Sequence, residues 1–228
     1  MPATKKKSAE DIVEIKPIKL ERVKLRVVGE TPLIVHAWSE KAKRQMLEAQ
    51  QGIKAGKKKD AKNPVQDFVS TAYWLTPMPE VETFEAFTEA VKNGARFMFP
   101  ITALKNASVS APYRMGWTKD KVSMRGSLWL MDQNPNGDVP MDMLEIHYDG
   151  MPEMREDMVK VGMGTADLRY RMQYTNWHFD VVLEYNKSGQ YSLDALVNII
   201  NAGGLVCGLG EWRNEKGGLF GRYHIEGM

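Results

Sequence analysis

Hydrophobic and polar residues alternate with a period of two from Leu20 to Glu30, where Val23, Leu25 and Val27 interleave with Arg22, Lys24 and Arg26. That pattern predicts a half-buried strand, and its polar edge is wholly cationic. The clearest strand is WHFDVVLEYN. Phe179, Val181, Leu183 and Tyr185 share one face of it, while His178, Asp180 and Glu184 share the other, with Val182 as the exception. The period then lengthens: Leu193, Leu196, Val197 and Ile200 fall at helical spacing, with Ser192 as N-cap and Gly203 as the C-terminal stop. A further helix is predicted from Ile101 to Pro112, where the proline ends it. Its small residues Ala103, Ala107, Ser108 and Ala111 allow a close approach to a sheet. GSLWLMDQ reads as another strand, and residues 204–228 read as strand, glycine-rich loop, strand, with Cys207 buried in the first of these.

Two stretches interrupt this order. Residues 36–98 open with a helix behind Ser39 as N-cap, pass through a lysine-rich loop with a mobile tip near Gly56–Lys62, and end in partly helical sequence and a short strand. They read as an insertion outside the core. Residues 133–175 read as an irregular, thumb-like insertion rich in Pro, Gly and Met, with LEIHYDG as an extended piece. With both removed, the order is βαββαβ. The fold expected is therefore α+β, a ferredoxin-like (RRM-like) core with both helices on one sheet face and the other face open. A basic, disordered tail (1–17) is expected to precede a single domain (18–228).

Composition narrows the class. Hydrophobic content of 43% and charged content of 26% are ordinary for a globular chain. Lys and Arg total 31 against 29 acidic residues, a net charge of +2, so any partner must be inferred from where charge lies. Cys207 is the single cysteine and suits a reducing compartment. No apolar run approaches the roughly 20 residues that span a bilayer, and the basic N-terminus lacks the apolar region of a signal peptide. A cytoplasmic protein without a membrane partner is expected. His36, His147, His178 and His224 show no metal-ligand spacing with each other or with cysteine, so neither a metal nor another cofactor is expected. The 15 methionines suit adaptable packing or a self-association surface.

FPITALKNASVSA (99–111) is similar to the segment that opens the first core helix in the RAMP superfamily of CRISPR-associated RNA-binding proteins. GLGEWRNEKGGLFGRYHI (208–225) resembles the C-terminal glycine-rich loop of that superfamily, and GETPLIVHA (29–37) echoes the segment after its first strand. The two insertions fall where backbone subunits of CRISPR interference complexes carry theirs. The chain also resembles uncharacterised small proteins encoded by tailed phages. It departs from the pattern at IVHAWSE, where a glycine-rich motif is usual. The aspartate with which some backbone subunits cut RNA has no clear counterpart, since the flanks of Asp67 differ.

The resemblance implies a non-enzymatic subunit that holds the backbone of a single-stranded nucleic acid, RNA foremost, along the open sheet face. It further implies a homo-oligomer, a filament, or a place in a larger ribonucleoprotein. The expected contacts are Lys24, Arg26, Lys105, Arg114, Arg169, Tyr170, Arg171, Gly208, Gly210, Trp212, Arg213, Lys216, Gly217, Gly218 and Arg222. Residue chemistry leaves alternatives beside each. Glycines can turn N–H groups toward phosphates, or simply make the turns of a hairpin. Arg169, Tyr170, Arg171 and Trp177 can hold phosphates and stack on bases, or form a solvated strand face over a packed core. Trp212 either stacks on a base or plugs the sheet edge. The lysine runs KAKRQ and KAGKKKDAK add to the electrostatic footprint. His36 lies where endoribonucleases of the superfamily place a general acid or base, so metal-independent RNA cleavage is one alternative function. A phage counter-defence protein that mimics a CRISPR subunit and binds host protein is another.

Overall fold

A computed structural model describes residues 17–53, 63–133, 137–161 and 164–227. The predicted tail, apart from Pro17, and the tip at Gly56–Lys62 lie outside them. The alternating segment forms β1 (Leu20–Gly29), and the apolar run after it forms β2 (Leu33–Val35). The Ser39 hydroxyl accepts from Ala42 N–H to start α1 (Glu40–Gln50), and Asn63 caps α2 (Pro64–Ser70). Next come β3 (Tyr73–Trp74), α3 (Phe84–Lys92), β4 (Phe97–Pro100) and α4 (Ile101–Arg114). A short α5 (Val122–Ser127) leads into β5 (Trp129–Asp132) and β6 (Met143–Asp149). A hairpin follows, β7 (Glu153–Val161) and β8 (Thr165–Tyr174), then β9 (Asn176–Asn186). Ser192 caps α6 (Leu193–Ala202), and β10 (Tyr223–Ile225) closes the order.

The class is α+β, with antiparallel sheets and six α-helices among the described residues. The larger sheet runs β10-β1-β9-β6-β4-β3, and β5 also pairs with β9, so β5 and β6 lie along different lengths of that strand. In the β1–β9 ladder Val23 faces Leu183, Leu25 faces Val181, and Val27 faces Phe179. This register places the apolar half of each alternation on one side, where α4 and α6 cover it. The smaller sheet is β2-β8-β7. No described helix is long and apolar enough to cross a membrane.

Several expectations change. Residues 36–98 are part of the core: Phe68, Phe87 and Phe97 are fully buried, with the Phe68 and Phe87 rings edge-to-face at 4.8 Å. The aromatic residues of α2 and α3 cover the β3–β4 end of the sheet, which sequence spacing alone does not show. Residues 133–175 are not irregular but supply β6, which joins β4 to β9, and the β7–β8 hairpin. The hairpin lacks apolar alternation because much of it faces solvent. Helix α4 continues through Pro112 to Arg114; a proline this near the end forfeits one intrahelical bond and leaves the earlier turns intact.

Gly203 does not stop α6 either. The chain carries on as a π-helical turn (Gly203–Cys207), and Gly208 ends it with φ at 72°. A Cβ at Gly203 would lie 3.0 Å from Ser108 N, so glycine here and small residues on α4 let the two segments touch. Cys207 is buried as expected, but in this turn rather than in a strand, and burial pushes its thiol pKa up. Trp177 is also core: it lies across Gly29 and donates Nε1–H to Thr31 O at 2.9 Å.

Because α3 belongs to the core, Phe87→Ala is expected to cost about 3–5 kcal/mol. The exposed Met141→Ala change should stay within about 0.5 kcal/mol. Urea unfolding of both variants checks this, and equal small losses would return 36–98 to the status of an appendage.

Candidate functional site

The glycine-rich loop is laid along β2 by backbone bonds. Glu211 N donates to Ile34 O, Gly221 N to Pro32 O, and Leu209 N to Gly221 O, each at 2.9 Å. At Gly210 (φ 72°) a Cβ would stand 2.3 Å from Ile34 O, and at Gly221 (φ 68°) one would stand 1.8 Å from Leu209 O. These two glycines answer the need of one backbone to touch another in a left-handed conformation. Gly218 backs onto the Trp212 carbonyl, whereas Gly217 closes a short 3₁₀ turn (Asn214–Lys216) with open space beside it.

Side chains lock the loop to the hairpin through Asp157. Its Oδ1 accepts from Arg155 Nε at 2.9 Å, and its Oδ2 accepts from Arg171 Nη1 at 2.9 Å and Trp212 Nε1 at 3.1 Å. Arg171 is only 2% exposed. Trp212 takes φ of 51°, uncommon for a bulky residue, and Arg155 lies over the Phe220 ring at 4.6 Å. Arg213 donates to Gly210 O at 2.9 Å and to Glu215 at 3.1 Å, and Arg114 also pairs with Glu215. Asn214 caps the π-helical turn by donating to Leu205 O and Val206 O. Arg222 pairs with Glu30. Of the predicted contacts in this loop, Lys216 and Gly217 are exposed, while Trp212 and Arg213, like Arg171 of β8, serve the architecture.

Among the described residues no helix covers the open face of the large sheet, but that face is not cationic. Arg22 pairs with Glu184 at 2.6 Å, Arg26 with Asp180 at 2.8 Å, and Arg96 with Glu145 at 2.6 Å. Glu184 and Asp180 sit directly opposite Arg22 and Arg26 in the ladder, so the cationic edge of β1 is matched by acids of β9. Lys24 stands between these pairs, opposite Val182, with no ion pair among the described residues. Lys105 leans over the Trp129 ring at 4.9 Å.

A polar concavity lies elsewhere, between α4, the glycine loop and β8. It consists of two hollows of 380 and 660 Å³ that share His36 and Glu211. The first is lined by Tyr73, Thr102, Asn106, Ser110, Gly208, Gly210 and Arg213; the second by Trp38, Asp67, Arg169 and Tyr170. Helix α4 opens behind Pro100, which offers no side-chain cap; the Ile101 amide donates to Asp142 O at 3.0 Å, and the next two amides, of Thr102 and Ala103, belong to residues that line the first hollow. Those amides carry the positive end of the helix dipole. Arg169 and Arg213 are outnumbered at the rim by Asp67, Asp167, Glu211 and Glu215.

His36 Nδ1 lies 4.0 Å from Glu211 Oε1. Burial is the main influence lowering its pKa from 6.5, the Arg171 charge adds to it, and Glu211 opposes it. Burial also raises the Tyr73 hydroxyl pKa, with a smaller contribution from Glu211. The arrangement offers a neutral imidazole, helix amides and aromatic rings in one cleft. Sequence reasoning had no signal for Glu211, Tyr73 or Asn106, because nothing local marks them as neighbours of His36. No family model matches the chain, and no curated protein matches it.

Asp157→Asn is expected to cost about 3 kcal/mol by leaving buried Arg171 with only the more distant Glu211 carboxylate, 3.8 Å away, against almost nothing for the neighbouring, exposed Glu156→Gln; chemical denaturation separates them. The His36 ring should titrate below 6.5 by NMR. Since the folded value is the lower one, its contribution to stability is present above the unfolded value and is lost as pH falls through the folded value.

Proposed function

We propose that the chain is a RAMP-like, non-enzymatic subunit that holds single-stranded nucleic acid, RNA foremost, in the cleft between α4 and the glycine loop. The strand order β10-β1-β9-β5, antiparallel throughout, with α4 and α6 on one face, fits a ferredoxin-like core. The observation that carries the reading is the uncapped start of α4 inside a polar cleft walled by that loop. Phosphate oxygens accept from helix amides without side-chain charge. Exposed Trp38 offers a ring face at the rim for a base, with Tyr73 further in. The hairpin also exposes Met154 and Met158, an apolar surface suited to a neighbouring copy in a filament.

Because the sheet's arginines are already paired, few cations remain to displace counterions. Salt dependence should be shallow, with a slope of log K on log salt of about −1.5 to −3, corresponding to roughly two to four phosphates. In fluorescence anisotropy with labelled single-stranded RNA, Asn106→Glu is expected to weaken binding at least tenfold, and Lys24→Glu less than threefold. The reverse ranking would move the strand to the open sheet. No binding by the wild-type chain at low salt would remove the function altogether.

The lowered pKa of His36 beside Tyr73 and Glu211 favours a second reading, metal-independent RNA cleavage with His36 as general base. It predicts cleavage in the presence of chelator that His36→Ala abolishes. Intact RNA after prolonged incubation with wild type eliminates it.

A further inference from the structure

Two histidines far apart in sequence meet on the open face of the large sheet. His147 on β6 is the direct cross-strand partner of His178 on β9, and their rings stack at 4.9 Å with 21° between planes. Asp180 lies two residues along β9 on the same face, with Oδ2 4.0 Å from His147 Nε2. One ligand atom from each of the three residues lies within 4.8 Å of the others. We propose that His147, His178 and Asp180 form a binding site for a late first-row divalent cation, with zinc as the reference ion.

The donor set argues for this class of ion. Two neutral imidazoles and one carboxylate suit zinc, cobalt, nickel or copper, whereas calcium and magnesium call for oxygen donors. In a tetrahedral shell with metal–ligand distances near 2.0–2.1 Å, donor atoms sit about 3.3 Å apart. The observed separations, up to 4.8 Å, exceed that value, and the two stacked rings must turn about their side-chain torsions to aim their lone pairs at one ion. The backbone is well placed to resist movement: β9 is held by β1 along one edge and by β5 and β6 along the other, and its opposite face carries the buried Trp177 and Phe179.

Arg26 fixes the carboxylate, donating from Nε to Oδ1 at 2.8 Å and from Nη2 to Oδ2 at 3.3 Å. This is the outer-shell support that orients a ligating group, and it leaves Oδ2 turned toward His147. Asp149, two residues beyond His147 on the same face of β6, adds negative charge that offsets Arg26. Three protein ligands on a half-exposed face leave a fourth position to water or to an anionic ligand.

The test uses the full, untagged chain, stripped with chelator and titrated calorimetrically with Zn²⁺, then with Co²⁺ as an optical probe. One equivalent of Zn²⁺ should bind with Kd below about 10 µM, and Co²⁺ should give visible d–d absorption. His147→Ala and His178→Ala should each weaken binding at least tenfold, while His36→Ala and His224→Ala leave it unchanged. Circular dichroism of each variant confirms folding. The absence of saturable one-equivalent binding of both ions overturns the proposal, as does binding that survives in a folded His147→Ala/His178→Ala double variant. Wild-type affinity in Asp180→Asn overturns the carboxylate's part in it.

Discussion

The carboxylate of Asp157 ties together three separate stretches of the chain. It is buried, it belongs to a hairpin that a lone β-ribbon would hold only marginally, and it accepts from Arg155, Arg171 and Trp212 at once. A buried carboxylate or guanidinium alone is costly, so the set is stable only when complete. Once complete, it fixes the β7–β8 hairpin against the C-terminal loop. That loop lies on β2, and β2 delivers His36 to the cleft. The geometry of the candidate site therefore follows from one buried charge cluster, whose Arg171 also helps to lower the His36 pKa.

The same logic of paired charge reshapes the open sheet face. Alternation in β1 predicts a row of cations, and the row exists, but the facing positions of β9 carry Glu184 and Asp180. A polyanion would have to compete with carboxylates already at hydrogen-bonding distance. The cleft presents helix amides and ring faces rather than free lysines, so the binding proposed there would be modest and salt-tolerant. The open face is left with a central group, His147, His178 and Asp180, whose chemistry suits a metal ion better than a phosphate chain.

Much of the fold was legible in the residues. The alternation in β1 and β9 gave both strands and their buried faces, Ser39 and Ser192 marked helix starts, and the small residues of α4 announced close packing. Elsewhere tertiary context overrides local signals. Pro112 and Gly203 look like stops, yet packing between α4 and the π-helical turn carries both segments onward. Residues 36–98 and 133–175 looked peripheral because neither shows a clean apolar period, although each contributes to the core or to a sheet. The glycine-rich loop was found correctly, but most of its glycines and arginines meet other parts of the chain.

Local order, the sign of charge along each strand and the capping of helices are short-range properties, and the sequence by itself determined them through period and residue type. Which charge meets which, and which histidines meet at all, depends on register between strands distant along the chain. A shift of one residue would send every partner to the opposite face. Only the tertiary structure decided that Arg26 faces Asp180, that Arg171 is buried, and that His147 stacks on His178. The pairings on β9 arise from the fit of the sheet's apolar face under α4 and α6, and the burial of Arg171 from the fit of the hairpin to the glycine loop, long-range constraints that no local window of the sequence contains.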